Sequence, residues 1–166
     1  MMFESVFAAL NDRNVRFLVV GGVAVVLHGY ARLTADLDLV VDLAEEQATA
    51  AIEALAGLGL RPRVPVDPLL FAKADIREEW RTTRGMIAFT MHDPDNPMLS
   101  VDLLVDQSAE FDDLWARSMD IQLASSSVKV IALDDLIDMK ARAGRPQDLL
   151  DATELRRIRD LKQDAP

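Results

Sequence analysis

Apolar residues near the start of the chain recur at helical spacing. Phe3, Val6, Phe7 and Leu10 fall on one face, and Asn11-Asp12-Arg13-Asn14 ends the pattern, which predicts a helix over 3–10. The run Phe17-Leu18-Val19-Val20 is β-rich and stops at Gly21-Gly22, as a buried strand would. A helix over 23–28 follows, with Gly29 as its stop, then a strand over 37–41 and an Ala-rich helix over 43–58. Three prolines make 61–68 a connecting loop, and a less regular pattern predicts a helix over 69–81. Apolar runs at 86–91 and 99–105 flank Asp93-Pro94-Asp95-Asn96-Pro97, whose turn chemistry predicts an antiparallel hairpin. A helix over 109–117, short strands over 121–124 and 128–131, and helices over 134–143 and 146–161 complete the chain. Gly144 separates the last two helices, and Pro146 suits a first helical turn. This order of elements predicts an α/β (α+β) protein. A mixed β-sheet is flanked by helices, including C-terminal helices, in a single domain over 1–166.

Composition narrows the chemistry. The 166 residues carry 18 Lys+Arg against 28 Asp+Glu, a formal charge of −10, and half of them are apolar. That excludes wholesale disorder and argues against a protein that coats nucleic acid through a basic surface. Without cysteine there are no disulfides, thiolate metal sites or cysteine nucleophiles. The start Met1-Met2-Phe3-Glu4-Ser5 lacks the features of a signal peptide. The most apolar stretch, 17–27, is too short to span a bilayer. The expected location is cytoplasmic, with no membrane partner.

The sharpest feature is Gly21-Gly22, a gap of thirteen residues, and then Asp36-Leu37-Asp38-Leu39. On a strand, residues two apart share a face, so Asp36 and Asp38 are expected to project together, roughly 6–7 Å apart, while the leucines face the core. Two such carboxylates repel one another unless a cation lies between them. A third, Asp102, sits inside Leu99-Ser100-Val101-Asp102-Leu103-Leu104-Val105, where an unpaired carboxylate is costly. Three acids converging from two strands suit two divalent ions arranged for phosphoryl or nucleotidyl transfer. A glycine pair between strand and helix lets backbone N–H groups approach a phosphate.

These residues resemble the signature of the DNA polymerase beta nucleotidyltransferase superfamily. The stretch Val20 to Asp38 is similar to its small prokaryotic members, as are Leu136-Ile137-Asp138-Met139-Lys140, Arg142 and Gly144 to Asp151. The combination most resembles nucleotidyltransferase toxins of abortive-infection and toxin–antitoxin systems. The similarity covers 17–42 and 98–160. The resemblance implies transfer of a nucleoside monophosphate from a nucleoside triphosphate to an acceptor hydroxyl on a tRNA end, a protein or a small molecule. It also implies a possible antitoxin protein as partner, and oligomerisation is open. By the same resemblance Asp36, Asp38 and Asp102 bind two Mg2+ ions, with Mn2+ an alternative, and Asp102 helps deprotonate the acceptor. Gly21 and Gly22 cradle the phosphates, although many members carry serine in the place of Gly22. The alternative is a non-catalytic relative that keeps the fold as a binding or antitoxin-like partner.

Supporting residues have two readings each. Lys140 either complements the end of its helix or, following the resemblance, donates to the triphosphate. Arg145 either binds phosphate or pairs with Asp148. Asp148 and Asp151 share a helical face and could orient Lys140, although acids near a helix N-terminus need no further reason. Arg32 and Thr34 lie on the approach to the acidic pair, where Arg32 could contact phosphate or acceptor. His28 is expected to cap or pack its helix, and Asp93 and Asp95 to form a turn. Asp42 and Asp106 are expected to be solvated, and Trp80 and Trp115 to be core or half-core.

Overall fold

The computed structural model describes residues 3–105 and 111–164. Met1, Met2, Asp106 and the expected helix start at Ala109 and Glu110 lie outside the described residues. Helix α1 (Glu4–Asp12) buries Val6, Phe7 and Leu10, and the Phe7 ring stacks on Phe17 at 6.2 Å. Strand β1 (Phe17–Val20) is buried throughout and passes directly into α2 (Gly21–Leu27), two residues earlier than the periodicity predicts. Gly21 makes this abrupt change possible because its φ is +61°, a value that side-chain-bearing residues rarely adopt. Next come β2 (Leu37–Val41) and α3 (Glu45–Gly57).

The expected loop at 61–68 contains a two-residue strand, β3 (Arg61–Pro62), at a sheet edge where proline is tolerated. The helix expected over 69–81 divides in two. Asp67 caps a 3-10 turn, Pro68–Ala72, by accepting from Leu69 N–H at 2.9 Å, and α4 (Ala74–Arg84) runs from there to Gly85. Strands β4 (Ala88–His92) and β5 (Ser100–Leu104) form the expected antiparallel hairpin. Asp95 N–H closes its turn on Asp93 Oδ1. Phe89 on β4 stacks against both Trp80 and Phe71 at 5.2 and 5.5 Å, which fastens α4 and the 3-10 turn to the hairpin. Helix α5 (Phe111–Arg117), strands β6 (Met119–Gln122) and β7 (Ser127–Val130), and helices α6 (Leu133–Ala143) and α7 (Pro146–Gln163) follow.

Among the described residues the strands make one mixed sheet in the order β3-β4-β5-β2-β1-β7-β6. Strand β1 is wholly apolar, whereas β2 and β5 each interrupt an apolar run with an aspartate, Asp38 and Asp102. Strands β1 and β2 run antiparallel and end their pairing at Val20 opposite Asp38. Strands β2 and β5 run parallel, with Leu37 opposite Val101, Asp38 opposite Asp102 and Leu39 opposite Leu103. Helices α6 and α7 pack on each other across Gly144, whose φ of +69° ends α6 before Pro146 starts α7. None of the described helices is long and apolar enough to cross a membrane.

Candidate functional site

The site begins with the alternation of two neighbouring strands. Leu37 and Leu39 on β2, and Val101 and Leu103 on β5, are fully buried. Asp38 and Asp102 therefore take the opposite face, and the parallel register sets them side by side on strands about 4.8 Å apart. Thr90 is the β4 partner of Asp102, and its hydroxyl donates to Asp102 Oδ1 at 2.6 Å. A polar row thus crosses the sheet from Thr90 through Asp102 to Asp38. Burial, and next the negative charge of Asp102, push the Asp38 carboxyl up to about 6, against an opposing hydrogen bond from the Gly22 N–H.

Asp36 departs from expectation. Strand β2 starts at Leu37, so Asp36 lies in the bend before it and is exposed rather than projecting from the strand beside Asp38. The reason is the end of the β1–β2 ladder. Beyond the Val20–Asp38 rung, β1 has already turned into α2 and offers residue 36 no backbone partner. Asp36 nevertheless lines the same cleft as Asp38 and Asp102.

The two glycines form a tight wall against these acids. A Cβ on Gly21 would collide with the Asp38 carboxylate, and one on Gly22 would collide with Thr34 Oγ1. Gly21 therefore lets α2 approach Asp38, and Gly22 lets the segment before β2 close against α2. Opposite stands a cationic wall from the C-terminal helices. Lys140 on α6 is buried, with Nζ 2.9 Å from Asp148 Oδ1 and 2.9 Å from Asp151 Oδ2. Arg145 meets the other oxygen of Asp148 at 2.6 Å, so the pairing alternative is realised, and Arg145 lines the cleft as well. Burial pushes the Asp148 carboxyl up, but its hydrogen bonds from Arg145 and Lys140 outweigh this and hold it below the usual range. Asp151 is completely buried and gathers Lys140, Gln147 and Arg32 Nε, the last at 3.1 Å. One carboxylate on α7 thereby ties the segment between α2 and β2 to the C-terminal helices.

Between the walls lies a cleft of about 530 Å³, lined by nine of the residues considered in the sequence. That set is Asp36, Asp38, Asp102, Gly21, Gly22, Lys140, Arg32, Arg145 and Asp148. Among the described residues no group of three or more acidic or histidine side chains already surrounds one point. The donor chemistry nevertheless fits magnesium or manganese. These hard cations take one or two carboxylates and complete their shell with water and substrate phosphate oxygens. Burial and then the repulsion of Asp102 raise Asp38, and a cation between the carboxylates relieves the second of these.

Other candidates lie elsewhere. His28 is buried and donates from Nε2 to the Ile131 carbonyl at 2.8 Å, a packing role. Asp42, expected to be solvated, is half-buried, where it pairs with Arg16 at 2.8 Å and accepts from Ala44 N–H. Trp80 is buried, and Trp115 is partly buried beside Arg16 and Lys129. The sequence reading missed Thr90. The alternation Phe89-Thr90-Met91 beside the predicted hairpin was the available signal, since the flanking residues are the buried ones.

The sequence matches no family model and no curated protein, so the comparison rests on structure. The fold is similar to ANT(2'')-Ia, an antibiotic-resistance factor solved in complex with adenylyl-2''-tobramycin. The TM-score is 0.58 at 17% identity over 93% of this chain and 84% of that one. It is similar to a candidate nucleotidyltransferase from Thermotoga maritima, with TM-score 0.59 and 14% identity over 94% of this chain and 89% of that one. A nucleotidyltransferase-like antigenic protein from Paracoccidioides brasiliensis gives TM-score 0.56 and 18% identity over 95% and 74%. The seven-stranded mixed sheet with its flanking and C-terminal helices is the nucleotidyltransferase fold.

Proposed function

We propose that this chain transfers a nucleoside monophosphate from a nucleoside triphosphate to an acceptor hydroxyl. The observation that carries the reading is the register pair Asp38 and Asp102 at the floor of a cleft whose walls are bare glycines and cationic side chains. Asp36, Asp38 and Asp102 would hold two Mg2+ ions, or Mn2+, and when bound these ions stabilise the charge that develops around the transferred phosphorus. Asp102 Oδ1 is held by Thr90, which leaves Oδ2 to take the proton of the acceptor hydroxyl. The acceptor oxygen then bonds to the α-phosphorus as the bond to pyrophosphate breaks. Lys140 donates one hydrogen bond to Asp148 and forms an ion pair with Asp151, so a further donor can meet the triphosphate. Arg145 reaches the same cleft with an exposed guanidinium.

The acceptor we favour is a small hydroxyl-bearing molecule rather than a tRNA end or a protein. The adenylylated tobramycin bound by ANT(2'')-Ia supports this, as does a net charge of −10, which disfavours a broad RNA footprint. The role we propose is that of the toxin in a cytoplasmic toxin–antitoxin pair, with an antitoxin protein as partner. Its support is the resemblance carried together by the stretches Val20 to Asp38 and Leu136 to Asp151. The test is incubation of the protein with magnesium and each α-labelled ribonucleoside triphosphate, followed by chromatography of candidate acceptors. Label should move to an acceptor with the wild type and not with Asp38→Asn or Asp102→Asn. Transfer that survives both substitutions refutes the reading.

A further inference from the structure

Gly22 stands against two side chains from the segment between α2 and β2. A Cβ built there would collide with Thr34 Oγ1 and lie 3.0 Å from Thr34 Cβ and 2.7 Å from Arg32 Nη2. Its backbone is not left-handed, so space rather than conformation requires glycine. The guanidinium could yield only by leaving Asp151. The short, β-branched Thr34 could not yield without moving its backbone. The volume that a side chain at 22 would fill is therefore occupied by a hydroxyl and a guanidinium.

Both groups keep donor capacity. Thr34 Oγ1 reaches the Asp36 carbonyl at 3.3 Å, long for a hydroxyl and readily exchanged. Arg32 pairs through Nε with the buried Asp151 and donates from Nη1 to the Leu33 carbonyl. Among the described residues Nη2 has no partner. Asp151 thus fixes the fork while one edge of it remains unspent, and both side chains line the cleft beside Asp36 and Asp38. In this strongly acidic chain, a fixed cation and a hydroxyl converging beside a carboxylate pair suit an oxyanion.

We propose that Arg32 Nη2 and Thr34 Oγ1 are a donor pair for a non-bridging phosphate oxygen of the triphosphate, and that position 22 is glycine to seat them. This rests on the nucleotide reading of the cleft and adds which side chains hold the phosphate.

The experiment measures thermal unfolding of the full chain with magnesium chloride and each of the four ribonucleoside triphosphates, alongside the ligand-free protein. Thr34→Val keeps the shape and deletes the hydroxyl, and should weaken triphosphate binding roughly tenfold or more, as loss of a hydrogen bond to a charged group does, with the ligand-free midpoint unchanged. Thr34→Ser should bind like the wild type. Gly22→Ser alone should lower the ligand-free midpoint. Paired with Thr34→Ala it should regain part of that midpoint, because the contact with Thr34 Oγ1 is removed while Arg32 Nη2 must still shift. Unaltered affinity in Thr34→Val, or a Gly22→Ser penalty that Thr34→Ala does not relieve, overturns the proposal. A wild type that responds to none of the four triphosphates overturns the nucleotide reading itself, and this proposal with it.

Discussion

Asp38 and Asp102 lie side by side on the parallel rung that joins β2 to β5. Their closeness is imposed by backbone pairing, so neither can retreat by changing rotamer alone. Charge repulsion is built into the ligand-free fold, and it can be measured.

With a folded-state value of about 6 against an ordinary 3.8, Asp38 makes the folded chain bind more protons than the unfolded chain between those pH values. Stability therefore falls as pH rises from roughly 4 to 6, and the deficit, of order 2–3 kcal/mol, persists above that window. Asp38→Asn should raise the urea midpoint of metal-free protein at pH 7.5, with a smaller gain at pH 4. Identical midpoints at pH 7.5 would contradict the electrostatic account.

Gly21→Ala should be much more costly than Gly59→Ala. Both glycines have positive φ, at +61° and +87°, so each alanine carries left-handed strain of about 1–2 kcal/mol. Only at Gly21 does the new methyl also meet Asp38, whereas Gly59 has open space. Denaturant titrations should place Gly21→Ala at least about 1 kcal/mol below Gly59→Ala, reflecting the overpacking.

Lys140→Met should destabilise the chain by about 3 kcal/mol, because Asp148 and Asp151 lose the buried ammonium they share and keep only Arg145 and Arg32 as cationic partners. Asp148 and Asp151 are both almost inaccessible, so water cannot replace the ammonium. Adding Asp151→Asn to Lys140→Met should recover part of the loss in equilibrium unfolding. An additive double mutant would show that the two residues act independently.

Magnesium together with a nucleoside triphosphate should stabilise the wild type, by about 2.7 kcal/mol at a hundredfold excess over Kd. A chelator should abolish the gain. Asp102→Asn should show little of it, because the second carboxylate of the pair is gone. A triphosphate-induced shift that survives chelation would separate nucleotide binding from any metal requirement.

Much of this was legible in the sequence because carboxylates stand out in apolar strands. Asp38 and Asp102 were visible individually, but their side-by-side placement depends on pairing between distant segments, which periodicity does not encode. The buried ion cluster was legible in another sense. Lys140 shares the stripe of Leu136 and Ile137, and Asp148, Asp151, Ala152 and Leu155 occupy the core-facing positions of α7. The spacing alone marks these charges as buried, yet charged residue types invite a surface reading. The break between the 3-10 turn and α4 was not legible, since it depends on Asp67 as a cap and on the stacking of Phe71 beneath the hairpin.

The order β5-β2-β1 also has a kinetic consequence. Strand β2 can pair with β1 as soon as the N-terminal segment is available. The Asp38–Asp102 rung requires closure of the long intervening chain, and the Arg32–Asp151 link requires an even longer closure. The acidic pair and its cationic wall therefore rest on contacts with a higher loop-closure cost than the β1–β2 pairing. A nascent or truncated chain without α7 would hold the glycines and Asp38 without the groups that complete the site.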